Sequence, residues 1–188
     1  MAERSTADTI LDVAQNLCQT RGFNAFSYRD IAKELGIKTA SIHYHYPTKA
    51  DLGEALLIRY RQKFASELTK IRAENDDARK QLKCFSNLIE SIRKDDKLCL
   101  CAMLSSDFES LSPGMKKQLK EFFSDAEAWI EACLLAGKKD GSFSMSKSPK
   151  TVAQVFLATL QGMLICSRAF SEDERFENGR EALFSMLS

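Results

Sequence analysis

Apolar residues recur at helical spacing through nearly all of this chain. Ile10, Val13, Ala14 and Leu17 share one face of a stretch that predicts a helix from Thr6 to Arg21, with Gly22 as its stop. A longer stripe follows, made of Leu52, Leu56, Tyr60, Phe64, Leu68 and Ile71. Thr48 opens it, with Asp51 three residues on in capping-box register. Ala78, Leu82, Phe85, Ile89 and Ile92 mark another helix over about 77–93. Lys94 to Lys97 forms a charged turn, and Leu98 to Phe108 predicts a short apolar helix. Ser112-Pro113 and Ser148-Pro149 each place an N-cap before a proline at the first helical position. The first pair opens a helix to about Ala136, followed by a polar loop that Gly137 and Gly141 bracket. The second opens a helix to about Ala169. Its apolar positions, including Val152, Val155, Leu160, Leu164, Ile165 and Cys166, wrap most of its circumference. Such a helix must be covered on most sides. One side suits the chain's own core and another a second copy, with Gly162 allowing close approach. A last helix is predicted over about 172–187. No alternating pattern predicts a strand, so the expected class is all-α.

The stretch Ser27–Leu52 is different in kind. Ile31, Ala32 and Leu35 predict a short helix capped by Ser27 and Asp30, and Gly36 breaks it. A second short helix runs from Thr39 to Tyr46 and stops at Pro47. Two short helices around a tight glycine turn form the helix-turn-helix pattern. No acid occurs from Leu35 through Ala50, while Lys38 and Lys49 flank the second helix. A helix free of carboxylates, with small residues at its start, suits the DNA major groove.

These residues resemble the TetR family of bacterial transcriptional regulators. The match runs through Gly22-Phe23, Arg29-Asp30-Ile31-Ala32, Leu35-Gly36-Ile37 and Ile42 to Leu52. His43 stands where the family usually has Tyr, Tyr46 where it has Phe, and Lys38 where a Ser or Thr cap is common. Thr39 is then expected to take over the cap. The resemblance implies a three-helix DNA-binding domain at 1–48 and a regulatory and dimerisation domain at 49–188, connected by a helix over 49–72. It implies a homodimer on a palindromic DNA operator, released by a small-molecule effector. The expected DNA-binding set is Tyr28, Arg29, Lys38, Thr39, Ala40, Ser41, His43, Tyr44, His45 and Lys49. Thr39, Ala40 and Ser41 would face base edges; Tyr44, His45 and Lys49 would hold phosphates. An effector pocket is implied among the middle helices, with Phe85, Ile89, Cys99, Met103, Phe122, Trp129 and Met163 as its candidates.

Composition changes this picture little. The net charge is +1, with nine Lys and Arg against seven Asp and Glu in residues 1–63, so DNA affinity must come from local placement. The six cysteines include no CxxC pair, and both histidines fall in the helix-turn-helix, two apart and pointing in different directions. No metal site, cofactor, carboxylate pair or histidine-base arrangement is read here, so no enzyme is expected. The polar start and the lack of a run of about 18 apolar residues point to the cytoplasm. A second reading concerns Leu98-Cys99-Leu100 through Leu104-Ser105, similar to a TetR branch in which a cysteine senses electrophiles. There the repressor would be switched by Cys99 near the lysines of the charged turn, whereas Cys18 and Cys166 would be buried and inert.

Overall fold

The computed structural model describes residues 5–93, 96–172 and 174–187. Nine α-helices are among them and no strand. They are α1 (Thr6–Arg21), α2 (Tyr28–Leu35), α3 (Thr39–His45), α4 (Lys49–Glu74) and α5 (Ala78–Ser91), then α6 (Leu100–Ser106), α7 (Pro113–Asp140), α8 (Pro149–Phe170) and α9 (Glu174–Ser185). Lys94 and Asp95 of the expected charged turn lie outside the described residues. The chain divides into two compact units, and α4 and α7 each run through both.

The first unit comprises the chain through Lys63 together with Leu100–Glu121. Ser5 caps α1 by accepting from the Asp8 N–H, and Gly22 ends the helix at φ +99°, returning its N–H to the Cys18 carbonyl at 3.0 Å. α1 packs on α2, α3 and α6. Ile10, Ala14, Ile31, Ile42, Leu52, Leu56, Leu100 and Leu104 are all fully buried. Burying a Leu or Ile side chain stabilises by about 1.5–3 kcal/mol, so this small core outweighs the polar ties around it. Among those ties, Arg59 of α4 pairs with Asp12 of α1 at 2.9 Å and donates to the Asp8 carbonyl at 3.1 Å. Arg61 pairs with Glu121 of α7. Gly53 lets the start of α7 approach α4, for a methyl there would lie 2.6 Å from Met115 Cε and 2.9 Å from Phe23 Cζ.

The second unit holds Phe64–Cys99 and Phe122–Ser188. Phe64 meets Phe85 edge-on at 5.9 Å and Phe122 at 4.9 Å, while Phe85 stacks on Trp129 at 5.5 Å. Arg180 of α9 ties that helix to α5. It donates to Glu90 at 2.9 Å, to Asn87, and to Glu177 one turn back. α8 packs on α5 and α9. By length and composition α8 would suit a membrane, yet Ala153, Phe156, Leu157, Leu160 and Leu164 are buried inside the unit. Leu160 and Leu164 therefore belong to the chain's own core. The large apolar side chains of α8 left outside are Val155, Ile165 and Phe170, exposed by 55%, 50% and 59%. Cys166, expected to be buried, is exposed beside them, because the apolar circumference of α8 is wider than the face its own unit covers.

Gly137 does not bracket a loop. α7 continues through it to Asp140. The glycine leaves room for the ring of Phe143, which is 4% exposed and lies under the Arg79 guanidinium. A methyl at Gly137 would sit 2.1 Å from Phe143 Cδ2. Alanine favours an α-helix over glycine by about 1 kcal/mol. Overpacking a filled core costs about 1–3 kcal/mol, so the clash wins. Gly137→Ala should lower the midpoint of thermal unfolding; a raised midpoint would show that the ring moves aside freely.

Candidate nucleic-acid interface

The turn that presents α3 is built locally. Ser27 Oγ and its backbone N–H both donate to Asp30 Oδ2 at 2.7 Å, closing the capping box that starts α2. Those bonds hold the Asp30 carboxyl below its ordinary range. Gly36 takes the left-handed conformation, φ +65°, and the Ile37 N–H returns to the Ala32 carbonyl at 3.1 Å. Lys38, not Thr39, is the N-cap of α3, and its side chain makes no capping bond. Thr39 is already helical. The first turn of α3 thus keeps free donors at its start, with no acid near it in sequence.

Ile42 is the one residue of α3 that is buried. It pins the helix, and Ala40, Ser41, His43, Tyr44 and His45 all face outward, Tyr44 by 84%. Tyr44 meets His45 edge-on at 5.1 Å. Lys38 and Arg29 are exposed as well. A groove of about 580 Å³ runs between the start of α2, α3 and the start of α4, lined by Phe26, Ser27, Tyr28, Arg29, Thr39, His43 and Lys49. It gathers half of the expected DNA-binding set. Phe26 and Ser27 were not foreseen in it; the aromatic pair Phe23 and Phe26 flanking the α2 cap was the available signal.

Three side chains of the expected DNA-binding set have partners within the chain. Tyr28 is 9% exposed, and its hydroxyl donates to the carbonyls of Tyr46 at 2.8 Å and Thr48 at 2.6 Å. Burial pushes its phenol up to about 12, so the hydroxyl stays protonated and bonded. Tyr28 therefore holds the corner between α3 and α4. His43 Nδ1 lies 3.2 Å from the Pro47 carbonyl, and its ring meets Tyr28 edge-on at 4.7 Å, which makes it a support of the same corner. Lys49 is half-buried. Its ammonium donates to the Phe26 carbonyl and lies 4.8 Å and 4.6 Å from the Phe23 and Phe26 rings. Desolvation lowers its pKa, opposed by Cys18, Asp107 and Asp30. In this arrangement its amine ties the start of α4 to the segment before α2.

The expected effector residues are distributed over both units. Phe85, Phe122 and Trp129 share the aromatic cluster of the second unit, and Ile89 is buried on α5. Met103 belongs to the first unit, where its methyl lies near Gly22. Met163 lines a separate hollow with Thr159, Cys166 and Gly179 between α8 and α9. Helical spacing ranks side chains on a face and says nothing of which face meets which.

The cysteines also rearrange. Cys99 precedes α6 and is fully buried, so it lacks the solvent access that a sensing thiol requires. Burial, with Asp107 adding, pushes the Cys18 thiol up to about 12 against the opposing pull of Lys49. Burial pushes Cys133 up to about 11 despite Arg72. At pH 7.5 iodoacetamide should leave Cys18 and Cys133 of the native protein unmodified while the unfolded chain labels fully. Fast labelling of either, read by mass spectrometry, would contradict that burial.

Comparison with known proteins bears on both units. Residues 10–56 match the model for bacterial regulatory proteins of the tetR family, and residues 80–183 match that for the Tetracyclin repressor-like C-terminal domain. A TetR transcriptional regulator from Legionella pneumophila is 32% identical over the whole of both chains, with a TM-score of 0.91. One from Agrobacterium tumefaciens is 29% identical over 97% of each chain, with a TM-score of 0.93. The HTH-type transcriptional repressor DhaR of Mycobacterium sp. (strain GP1) is 24% identical over all of this chain and 91% of its own length. With an outward-facing acid-free α3 at one end and both halves of the family matched along its length, the chain belongs to the TetR family of DNA-binding transcriptional regulators.

Proposed function

We propose that this chain is a cytoplasmic repressor that binds a palindromic operator as a homodimer and is released by a small-molecule effector. The observation that carries the reading is α3. It has a single buried anchor, every other side chain turned outward or half outward, and no carboxylate. Reading of DNA would rest with residues 1–48, and sensing and dimerisation with 49–188, with α4 as the connection. Thr39, Ala40 and Ser41 would face base edges, while Lys38, Tyr44 and His45 hold phosphates. A dimer spaces two such helices one duplex turn apart, and effector binding would alter that spacing. The exposed apolar side of α8 supports the dimer. The repressor name of the DhaR relative supports repression.

Footprinting on genomic fragments, followed by anisotropy titrations at several salt concentrations, tests the reading. Lys38→Ala should weaken binding to all sequences and reduce the salt slope by about one, with unfolding unchanged. Lys49→Ala should lower the unfolding midpoint too, because it removes the brace on Phe26. Ser41→Ala should relax sequence preference at one position of each half-site. A wild-type protein that binds operator and random duplex equally would refute the assignment.

A further inference from the structure

A groove of about 560 Å³ lies between α4 and α7 within the second unit. That is within the range of small-molecule sites, about 300–1,000 Å³. The groove stays open for a reason in the sequence. Ala65, Thr69 and Ala73 recur every fourth residue of α4, so they share one face, and all three are exposed along one wall. Leu68, buried beside them, supplies hydrocarbon to the floor. The other wall belongs to α7, with Asp125 and, one turn on, the half-buried Trp129. Stacking on the fully buried Phe85 fixes the indole. Arg72 is exposed, yet it does not wander in water. Its guanidinium lies 5.5 Å from the Trp129 ring centre and donates to the Cys133 thiol. Those two partners hold the cation at the groove without supplying an opposite charge.

We propose that this groove is the effector site and takes a planar aromatic carboxylate with a hydroxyl or amine at its far end; this rests on the effector-released reading above. The carboxylate goes to Arg72, whose guanidinium offers a planar fork of N–H donors. The ring lies against Leu68 and Trp129, in the width that Ala65, Thr69 and Ala73 leave. Asp125 and Trp129 are four residues apart, about 6 Å along a helix axis. Asp125 accepts from the far hydroxyl or amine. An ionised carboxyl has about four acceptor positions, so this bond adds to the contacts Asp125 already makes. A dianion would bring like charge to Asp125, and a plain cation would bring like charge to Arg72. The two residues therefore select both the class and its orientation. The walls are α4 and α7, and α4 begins at Lys49, four residues beyond the end of α3. A molecule wedged between those walls acts on the helix that leads directly from the reading helix.

The test uses the full-length protein and 6-hydroxy-2-naphthoate as probe. Trp129 is the only tryptophan of the chain, so the single indole N–H signal in ¹⁵N-resolved NMR reports on the groove. The probe should shift that signal saturably. Decahydro-2-naphthoate keeps the anion and loses the planar ring. 2-Naphthylmethylammonium keeps the ring and reverses the charge. Each should bind at least tenfold more weakly. Arg72→Met and Ala73→Leu put good helix formers at exposed positions, so both should unfold near the wild-type midpoint. Each should lose at least tenfold in probe affinity, the first by removing the carboxylate's partner and the second by filling the groove. Asp125→Ala should weaken the probe and leave 2-naphthoate binding unchanged. An unmoved indole signal would overturn the proposal, and so would wild-type probe affinity in both Arg72→Met and Ala73→Leu. Binding in the groove with no loss of operator affinity would overturn its role as effector site. A compound outside this class that releases wild type and Ala73→Leu from the operator equally would uphold effector release and defeat this proposal alone.

Discussion

Glutamate at both Val155 and Ile165 is expected to give a folded monomer that no longer holds its operator. Leu160 and Leu164 are the wrong positions for this test, because both are fully buried in their own subunit and charge there would unfold it. Val155 and Ile165 lie on the opposite side of α8, half or more exposed, in line with Cys166 and Phe170. Charge at those two sites meets water in a monomer and a partner's hydrocarbon in a dimer. Sedimentation should report the monomer mass with the helical circular dichroism intact. Operator affinity should fall by about a thousandfold or more, toward the level of non-specific binding, since one half-site carries only part of the contact. Cys166 supplies an independent readout. It should be shielded from iodoacetamide in the wild-type dimer and label quickly in the variant. A double variant that sediments as a dimer and keeps Cys166 shielded would move the interface to another face.

Arg180→Ala should lower the stability of the second unit by removing its tie between α9 and α5. The guanidinium is 10% exposed and bonds three side chains on two helices. Breaking a fully buried pair costs about 3–5 kcal/mol. Glu90 and Glu177 are 29% and 44% exposed and can be rehydrated, so the expected cost is smaller, about 2 kcal/mol. The same contacts predict the response to acid. Hydrogen bonding to Arg180 lowers the Glu177 pKa from its ordinary 4.5. A carboxylate with a depressed folded pKa contributes stability above its unfolded value and loses it as pH falls through the folded one. Wild type should therefore lose stability below about pH 4.5, and Arg180→Ala should show a shallower loss over that window. Parallel pH profiles of the two proteins, measured by urea unfolding, would show that the pair contributes nothing.

Where sequence spoke clearly, the determinant was local. Ser27 with Asp30, Thr48 with Asp51, Gly22, Gly36 and the Ser148-Pro149 start each act within one helical turn, and each does in the structure what its neighbours in sequence require. The helix-turn-helix was legible for that reason. What failed depended on partners distant in sequence. Gly137 read as a loop glycine because the ring of Phe143 that needs the space folds back onto it. The bonds of Tyr28 were hidden because its carbonyl partners lie 18 and 20 residues on. Met103 and Met163 matched the same periodicity as Phe85 yet sit in different places. Cys99 and Cys166 exchanged their expected burial for the same cause.

The first unit is made of two separated stretches of chain, and this bears on how it is synthesised. α1 packs on α6, whose Leu100, Cys101 and Leu104 are fully buried, and Asn24 bonds Ser110. The reading head cannot be completed when Lys63 leaves the ribosome; it must wait for Glu121. At roughly 5–20 residues per second, the apolar face of α1 meant for α6 stays uncovered for several seconds of translation. The same arrangement limits recombination. A hybrid regulator joined to a foreign sensor just after the helix-turn-helix would inherit an α1 without its α6. A graft that keeps this packing carries residues 100–121 along with the first 63.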